Sequence, residues 1–289
     1  MKILLLGSSG FLGIYLNKEL NKKFNVITNG LNKRNNDLTK YINIEKIIQK
    51  VKPNIIINAS GLTDIEVCQI KPELSKKINI NIIKNIFFVK KKYKLNFKFL
   101  HFSTDHMYCP KKNIKNKETL NINSVNTYTE HKLEAEKISL ANDSLVFRLN
   151  LIGQSSSTKK SFTDWIYRKL KNEEEIIGFV DSFYSPLSVE TVANIIKQLI
   201  SKKLHNTSGL FNIGSKEGIS KYNLIVHFSK KLGVFKQNLI KKGKINKLCK
   251  TKRSNYNRLN TNKFEKTFKI NLPTIKSEIN KVSKYYEKN

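Results

Sequence analysis

The chain has 289 residues, enough for one large domain or two smaller ones, and at 39% hydrophobic and 10% aromatic it is globular rather than disordered. No apolar run reaches the ~18 residues of a membrane span, so no membrane partner is expected. The formal net charge of +32 would suit a nucleic-acid binder, but nearly all of it is Lys. Only five Arg occur (Arg34, Arg148, Arg168, Arg253, Arg258), and dedicated nucleic-acid readers favour the Arg fork; scattered Lys with abundant Asn and Ile is the usage of an A·T-rich coding sequence, so no specific nucleic-acid partner is expected.

The opening "MKILLLG" is a short buried strand that ends in a glycine-rich turn, not in a small-residue cleavage site, so no targeting segment and a cytoplasmic location are expected. "FLGIYLNKEL" continues as a helix, "FNVIT" as a second strand, and "YINIEKIIQKVK" as a helix closed by Pro53. "NIIINAS" is a third strand. Residues 72–94 read as one long helix, "FKFLHFST" as a fourth strand, residues 126–142 as a helix and residues 144–153 as a strand. "VETVANIIKQLI" and "GLFNIG" form a last helix and strand returning to the sheet. This alternation predicts an α/β fold with a doubly wound parallel sheet covered on both faces. Cys68, Cys109 and Cys249 are an odd, scattered set; they give neither a disulfide framework nor metal-ligand spacing, so reduced thiols are expected.

"GSSGFLG" places Gly7, Gly10 and Gly13 at G-x-x-G-x-x-G spacing between the first strand and the first helix, although the whole chain holds 12 Gly. Such a turn lets backbone approach a pyrophosphate and aims a helix N-terminus at its charge, which predicts a Rossmann nucleotide site. After the second strand, "TNGLNKRNND" offers Asn29, Lys33 and Arg34 before its first acid, Asp37. A basic residue there accommodates a 2′-phosphate, so NADP(H) is preferred over NAD(H). Tyr-x-x-x-Lys occurs three times: Tyr108–Lys112, Tyr128–Lys132 and Tyr167–Lys171. Chance alone supplies about two such matches in a chain this rich in Lys, so spacing does not identify a catalytic pair.

Context does. The order G-x-x-G-x-x-G, "DLT" at 37–39, "NASGLT" at 58–63, Asn79 on the next helix, "STDHMY" at 103–108 and "NTYTEHKLEAEK" at 126–137 resembles the extended short-chain dehydrogenase/reductase family. More narrowly it resembles the dTDP-4-dehydrorhamnose reductase group of sugar-nucleotide reductases. Asn58, Ala59, Thr63, Asn79, Ser103, Thr104, Asp105, Tyr128, Lys132, Leu133 and Glu136 match that pattern in order. "FVDSFYSPLSVETVA" and "KRSNYNRLNTNKFEKTFKINLP" extend the likeness over nearly the whole chain. Four positions depart from it: Ser60 for a second Ala, Thr129 for Gly, His131 for Thr and Ser254 for Pro.

The resemblance implies NADPH-dependent reduction of a nucleotide-linked 4-keto-6-deoxy sugar, for surface polysaccharide synthesis. Thr104, Tyr128 and Lys132 would be catalytic: Tyr128 gives its proton to the carbonyl, Lys132 assists it and holds the nicotinamide ribose, and Thr104 orients the oxygen. Cofactor binding would fall to Gly7, Gly10, Phe11, Leu12, Gly13, Asn29, Lys33, Arg34, Asp37, Leu38, Ala59, Ser60 and Thr63, with Tyr128 and Lys132. Ser103, Thr104, Asp105, His106, Arg253 and Arg258 would meet the substrate; an Arg fork suits a diphosphate. Arg148 is expected to be structural. Residues 1–153, completed by about 188–214, would form the Rossmann domain, and 154–187 with 215–289 a smaller C-terminal substrate-binding lobe. Some members are metal-bridged dimers; a homodimer stays open here, and no metal ligands map onto the chain. An epimerase or dehydratase of the same superfamily, or a non-catalytic nucleotide-binding regulatory subunit, is the alternative.

Overall fold

The structure is a computed structural model that describes residues 1–29, 37–108, 114–156 and 160–287, apart from the side chains of Asn29 and Leu204. The chain divides into two compact units. The first comprises Met1–Thr104, Asn126–Arg148 and Ala193–Phe211, and the second Asp105–Val125, Leu149–Val192 and Asn212–Asn289.

In chain order the elements begin β1 (Lys2–Leu6), α1 (Phe11–Leu20), β2 (Asn25–Asn29), α2 (Tyr41–Val51), β3 (Ile55–Asn58), α3 (Ile65–Ile70), α4 (Pro72–Lys76), α5 (Ile82–Lys92), β4 (Lys98–Phe102), α6 (Thr127–Leu140) and β5 (Leu145–Arg148). They continue β6 (Leu151–Ile152), α7 (Phe162–Lys171), β7 (Ile176–Phe179), β8 (Phe183–Tyr184), β9 (Leu187–Ser188), α8 (Val189–Ser201), β10 (Gly209–Asn212), β11 (Ile219–Ser220) and α9 (Lys221–Lys231). The last are β12 (Ile240–Gly243), α10 (Ile245–Leu248), β13 (Tyr256–Asn257), α11 (Asn262–Phe268) and α12 (Ile275–Ser283).

The main sheet has the order β10-β5-β4-β3-β1-β2. Its ladders from β2 through β1, β3 and β4 to β5 are parallel. The apolar runs "ILLL" and "III" are buried on both faces, as strands sandwiched between helices must be. Period-two alternation sends Leu4, Leu6, Ile56 and Phe99 to the face covered by α2, α5 and α6, where they pack against Ile44, Ile48, Ile83, Ile86 and Ala135. The strand order reverses between β1 and β3, so a crevice is expected at the carboxyl ends of these two strands.

The expected α/β class and doubly wound, Rossmann-like sheet are found. Two elements differ in detail. The strand expected over 144–153 is two strands: β5 stays in the main sheet, whereas β6 pairs in parallel with β9. The helix expected over 72–94 carries a single π-turn, Lys77–Asn81, between α4 and α5.

The second unit builds small sheets, β11-β8-β13, β12-β7 and β6-β9, around a core of Ile166, Leu170, Leu224, Ile225, Phe228, Ile279 and Val282. Residues 105–125 belong to it, although the sequence reading kept them with the nucleotide half. Among the described residues, no helix is long and apolar enough to cross a membrane.

Candidate active site

The turn after β1 is built from positions that exclude side chains. Gly7 has φ +78°, and a Cβ there would lie 2.5 Å from Ser60 N and 2.7 Å from Ala59 O. A Cβ on Gly13 would lie 2.0 Å from Gly7 O. Gly10 N donates to Gly7 O at 3.0 Å and closes the turn. Gly10 is also the N-cap of α1, with no side-chain cap and no acid in the first turn, so the first-turn N–H groups are left to other acceptors. Phe11 leads into α1 and meets Tyr15 edge-on, while Leu12 is buried.

Other expected cofactor contacts are placed less suggestively. Leu38 is a core residue, packed with Ile44 and Ile48. The Asp37 carboxylate accepts from Thr39 N at 2.9 Å and Thr39 Oγ1 at 2.7 Å, and these bonds hold it below its usual range. Ala59 is half-buried and Thr63 exposed. Lys33, Arg34 and the Asn29 side chain lie outside the described residues, as does Cys109.

Helix α6 starts where its sequence says it should. Asn126 Oδ1 accepts from Thr129 N at 3.0 Å, and the Thr129 hydroxyl pairs with Asn126 N at 3.2 Å, a capping box. Two turns then carry Tyr128 and Lys132 inside together. Tyr128 packs with Leu62, Ile65 and Cys68. Lys132 is 5% exposed, and among the described residues it is the only buried lysine. Its Nζ donates to Phe102 O at 2.6 Å and lies 3.3 Å from His101 Nε2, both on β4. Burial pushes Lys132 down to about 8, opposed by the charge of Glu136 one turn on. Glu136 is itself tied up by Arg148: Nε donates to Oε1 at 2.9 Å and Nη2 to Oε2 at 2.6 Å, both residues buried. Arg148 is thus structural, as expected.

Ser103 and Thr104 follow directly on β4, and both are buried. Ser103 N donates to Phe147 O at 2.7 Å, while its hydroxyl has no hydrogen-bond partner among the described residues. The loop after β3 is set by Asn79 on the π-turn. Its Oδ1 accepts from Leu62 N at 3.0 Å, and its Nδ2 donates to Leu62 O and to Ser75 Oγ, each at 3.1 Å. Mid-helix π-turns often mark functional sites. The rival pairs lack such settings. Lys171 Nζ bonds Tyr167 Oη at 3.2 Å in exposed surroundings, and Tyr108 is spent on Asn212 at 2.8 Å, with Lys112 outside the described residues.

The remaining candidates lie in the second unit. Asp105 is fully buried; Oδ1 accepts from Asn150 Nδ2 at 3.0 Å and Oδ2 has no hydrogen-bond partner among the described residues. Burial raises this carboxyl to about 7. Burial likewise pushes His106 down to about 3, helped by Lys221 and Arg253, so the ring is neutral and its 3.7 Å approach to Asp105 is not an ion pair at neutral pH. Tyr184, whose hydroxyl has no hydrogen-bond partner among the described residues, and Lys221 join the group; burial raises the first and lowers the second. Arg253 is held by its backbone to Asn246. Arg258 stacks its guanidinium on Phe183, 4.4 Å from the ring centroid.

Sequence reasoning missed His101, Cys68, Asn150, Tyr184 and Lys221. His101 left one signal, a polar residue in the apolar strand "KFLHF". The four departures from the family pattern all make hydrogen bonds. Ser60 donates to Asn58 Oδ1 at 2.5 Å, Thr129 closes the capping box, His131 Nδ1 meets Ser75 Oγ at 2.8 Å, and Ser254 donates to Tyr108 O.

Comparison with known proteins decides the family. The family model described as RmlD substrate binding domain matches residues 1–287. The chain belongs to that family. Among its relatives, the dTDP-4-dehydrorhamnose reductase of Escherichia coli K12 is 25% identical over 288 residues, covering 94% of each chain. In fold it is similar to the dTDP-4-dehydrorhamnose reductase of Clostridium acetobutylicum (TM-score 0.88, 23% identity, 99% of this chain and 100% of that one). It is also similar to the Bacillus anthracis dTDP-4-dehydrorhamnose reductase solved in complex with NADP (TM-score 0.87, 18% identity, 97% of this chain and 98% of that one).

Proposed function

We propose that the protein is an NADPH-dependent reductase of a nucleotide-linked 4-keto-6-deoxy sugar, of the dTDP-4-dehydrorhamnose type, working in the cytoplasm in surface polysaccharide synthesis. The observation that carries this is the pairing of Tyr128 with Lys132, the one buried lysine among the described residues, on a helix packed against the strand that delivers Ser103 and Thr104.

The glycine turn fits a dinucleotide pyrophosphate, because its close backbone approaches leave no room for side chains and the α1 N-terminus is uncapped by side chains. When bound, the reduced nicotinamide supplies the hydride. Tyr128 Oη gives the ketone oxygen its proton. A free phenol has a pKa near ~10, and a neighbouring ammonium at Lys132 eases its loss of a proton. Thr104 donates a hydrogen bond to the same oxygen and orients it. Lys132 also holds the nicotinamide ribose, and Lys33 with Arg34 receives the 2′-phosphate. In the second unit, Asp105, His106 and Arg253 recognise the sugar and its diphosphate, and Arg258 serves instead to brace Phe183. Met1–Thr104, Asn126–Arg148 and Ala193–Phe211 act as the nucleotide half and the second unit as the substrate half; a homodimer is the assembly this reading favours.

The test is incubation with NADPH and a panel of nucleotide-linked 4-keto sugars, read as loss of nicotinamide absorbance. Sugar-dependent oxidation of NADPH that is lost in Tyr128→Phe is the expected result. Turnover of a sugar nucleotide with a retained NAD and no net nicotinamide change would replace this reading by an epimerase or dehydratase. Nucleotide binding without turnover of any panel member would leave a regulatory subunit.

A further inference from the structure

Behind Lys132 lies a short hydrogen-bonded chain that links two parallel strands and a helix. Asn58 ends β3, His101 lies on β4, and Lys132 reaches in from α6. The orientation of the Asn58 amide is fixed at its oxygen: Oδ1 accepts from Ser60 N at 3.1 Å and from Ser60 Oγ. Its nitrogen, which can only donate, therefore faces His101 Nδ1, at 3.4 Å. The other ring nitrogen, Nε2, faces Lys132 Nζ at 3.3 Å, and Lys132 donates to Phe102 O at 2.6 Å. The ring is 1% exposed and stacks on Phe99, so water does not complete the network.

We infer that His101 is a positioning residue whose tautomer, set by Asn58, selects the uncharged form of the Lys132 amine. With Asn58 donating to Nδ1, the ring proton resides on Nε2 and points at Nζ. A neutral amine accepts it through its lone pair and still donates to Phe102 O, and every polar atom is satisfied. An ammonium has no lone pair. It needs Nε2 bare, hence the proton on Nδ1, where it opposes the Asn58 amide; turning that amide would strand Ser60 N. Charging Lys132 thus costs a buried hydrogen bond, and the charge of the lysine and the tautomer of the histidine change together. Burial lowers both Lys132, to about 8, and His101, in keeping with a pair that is neutral only above the titration of Lys132.

Few other groups act on this amine. Glu136 on α6 favours its charge, with Arg148 of β5 clamped on both carboxylate oxygens. From the other elements packed on α6, α5 brings Lys84, paired with Glu134 at the exposed side, α4 brings Ser75, Lys76 and Glu73 to His131, and α3 brings Gln69 to Thr127.

The consequence for catalysis rests on the reductase reading; the tautomer itself does not. The experiment therefore begins with the wild-type protein, 15N-labelled at histidine and free of ligand. The His101 ring is assigned among the five histidines by its absence in His101→Phe. Above the titration of Lys132, the proton is expected on Nε2. As pH falls through that titration it should move to Nδ1, and in Lys132→Met it should stay on Nε2 throughout. Asn58→Asp keeps an acceptor for Ser60 and presents a second one to Nδ1, so it should fix the proton on Nδ1 at every pH. In the same variant, the alkaline limb of kcat/KM for sugar reduction should move up by about one pH unit, the shift one buried hydrogen bond supplies. A proton on Nδ1 at alkaline pH in the wild type, or a tautomer indifferent to both pH and Asn58→Asp, overturns the inference, whether or not the protein proves to be a reductase.

Discussion

Replacing Lys132 with methionine should stabilise the folded chain while removing its activity. The fully buried amine titrates at about 8 in the folded protein and near ~10.5 when unfolded. That gap of roughly 2.5 pH units, at ~1.4 kcal/mol each, makes the charged lysine cost about 3 kcal/mol of stability. Methionine is similar in length and needs no solvation, but it abandons the bonds to Phe102 O and His101 Nε2, a loss of about 2 kcal/mol. Glu136 stays paired with Arg148, so no new buried charge is orphaned. The net expectation is a gain of roughly 1 kcal/mol at pH 7. The sign of its pH dependence follows from the lowered folded value. The cost is fully present below pH 8, where both states are protonated, and fades as pH rises toward ~10.5, where both are neutral. Denaturant unfolding of wild type and variant at pH 7 and pH 10 reads the difference. A variant less stable than wild type at pH 7, or a difference that does not shrink with pH, would refute the buried-charge argument.

Three further outcomes are expected. Tyr128→Phe should lower sugar reduction by the ~10²–10⁴-fold typical of losing a general acid with the fold intact, while Tyr167→Phe, at the exposed Lys171 pair, should do little; steady-state rates on a confirmed substrate check both. Lys33 and Arg34 changed together to Ser should weaken NADPH binding and spare NADH, measured by titrating each cofactor; equal losses would mean that these residues do not read the 2′-phosphate. Raising salt should abolish binding of labelled oligonucleotides, which counterion release drives, before it abolishes NADPH binding; tight, sequence-selective binding that outlasts NADPH would promote the charge of +32 to a function.

What the sequence revealed is mostly local along the chain. The glycine turn is a seven-residue device flanked by its own strand and helix, so Gly7, Gly10 and Gly13 announce it without any distant contact. Tyr128 and Lys132 share their spacing with two other pairs, and only the motifs before and around them single them out. What stayed hidden depends on strands meeting across the sheet. His101 matters because Asn58 and Lys132, 43 and 31 residues away in sequence, converge on its two nitrogens. Tyr184 and Lys221 meet Asp105 only through the folding of the second unit. The split of residues 144–153 was equally illegible. "SLVFRLNLIG" holds no Pro and no internal Gly to mark a break, and only its partners tell where one sheet ends, since Leu187 N donates to Asn150 O at the point of change.

Lys132, the least exposed lysine among the described residues, gives this lysine-covered molecule a built-in reporter. An acylating reagent meets dozens of amines at the surface and should consume them at solution rates, whereas Nζ of Lys132 is sheltered against Phe102 and reacts only in moments when α6 lifts from β4. Mass spectrometry of partially labelled protein would then show one slow site in a uniform background. The lag of that site measures the free energy of a local opening, and whatever ligand fastens α6 to the sheet should lengthen it.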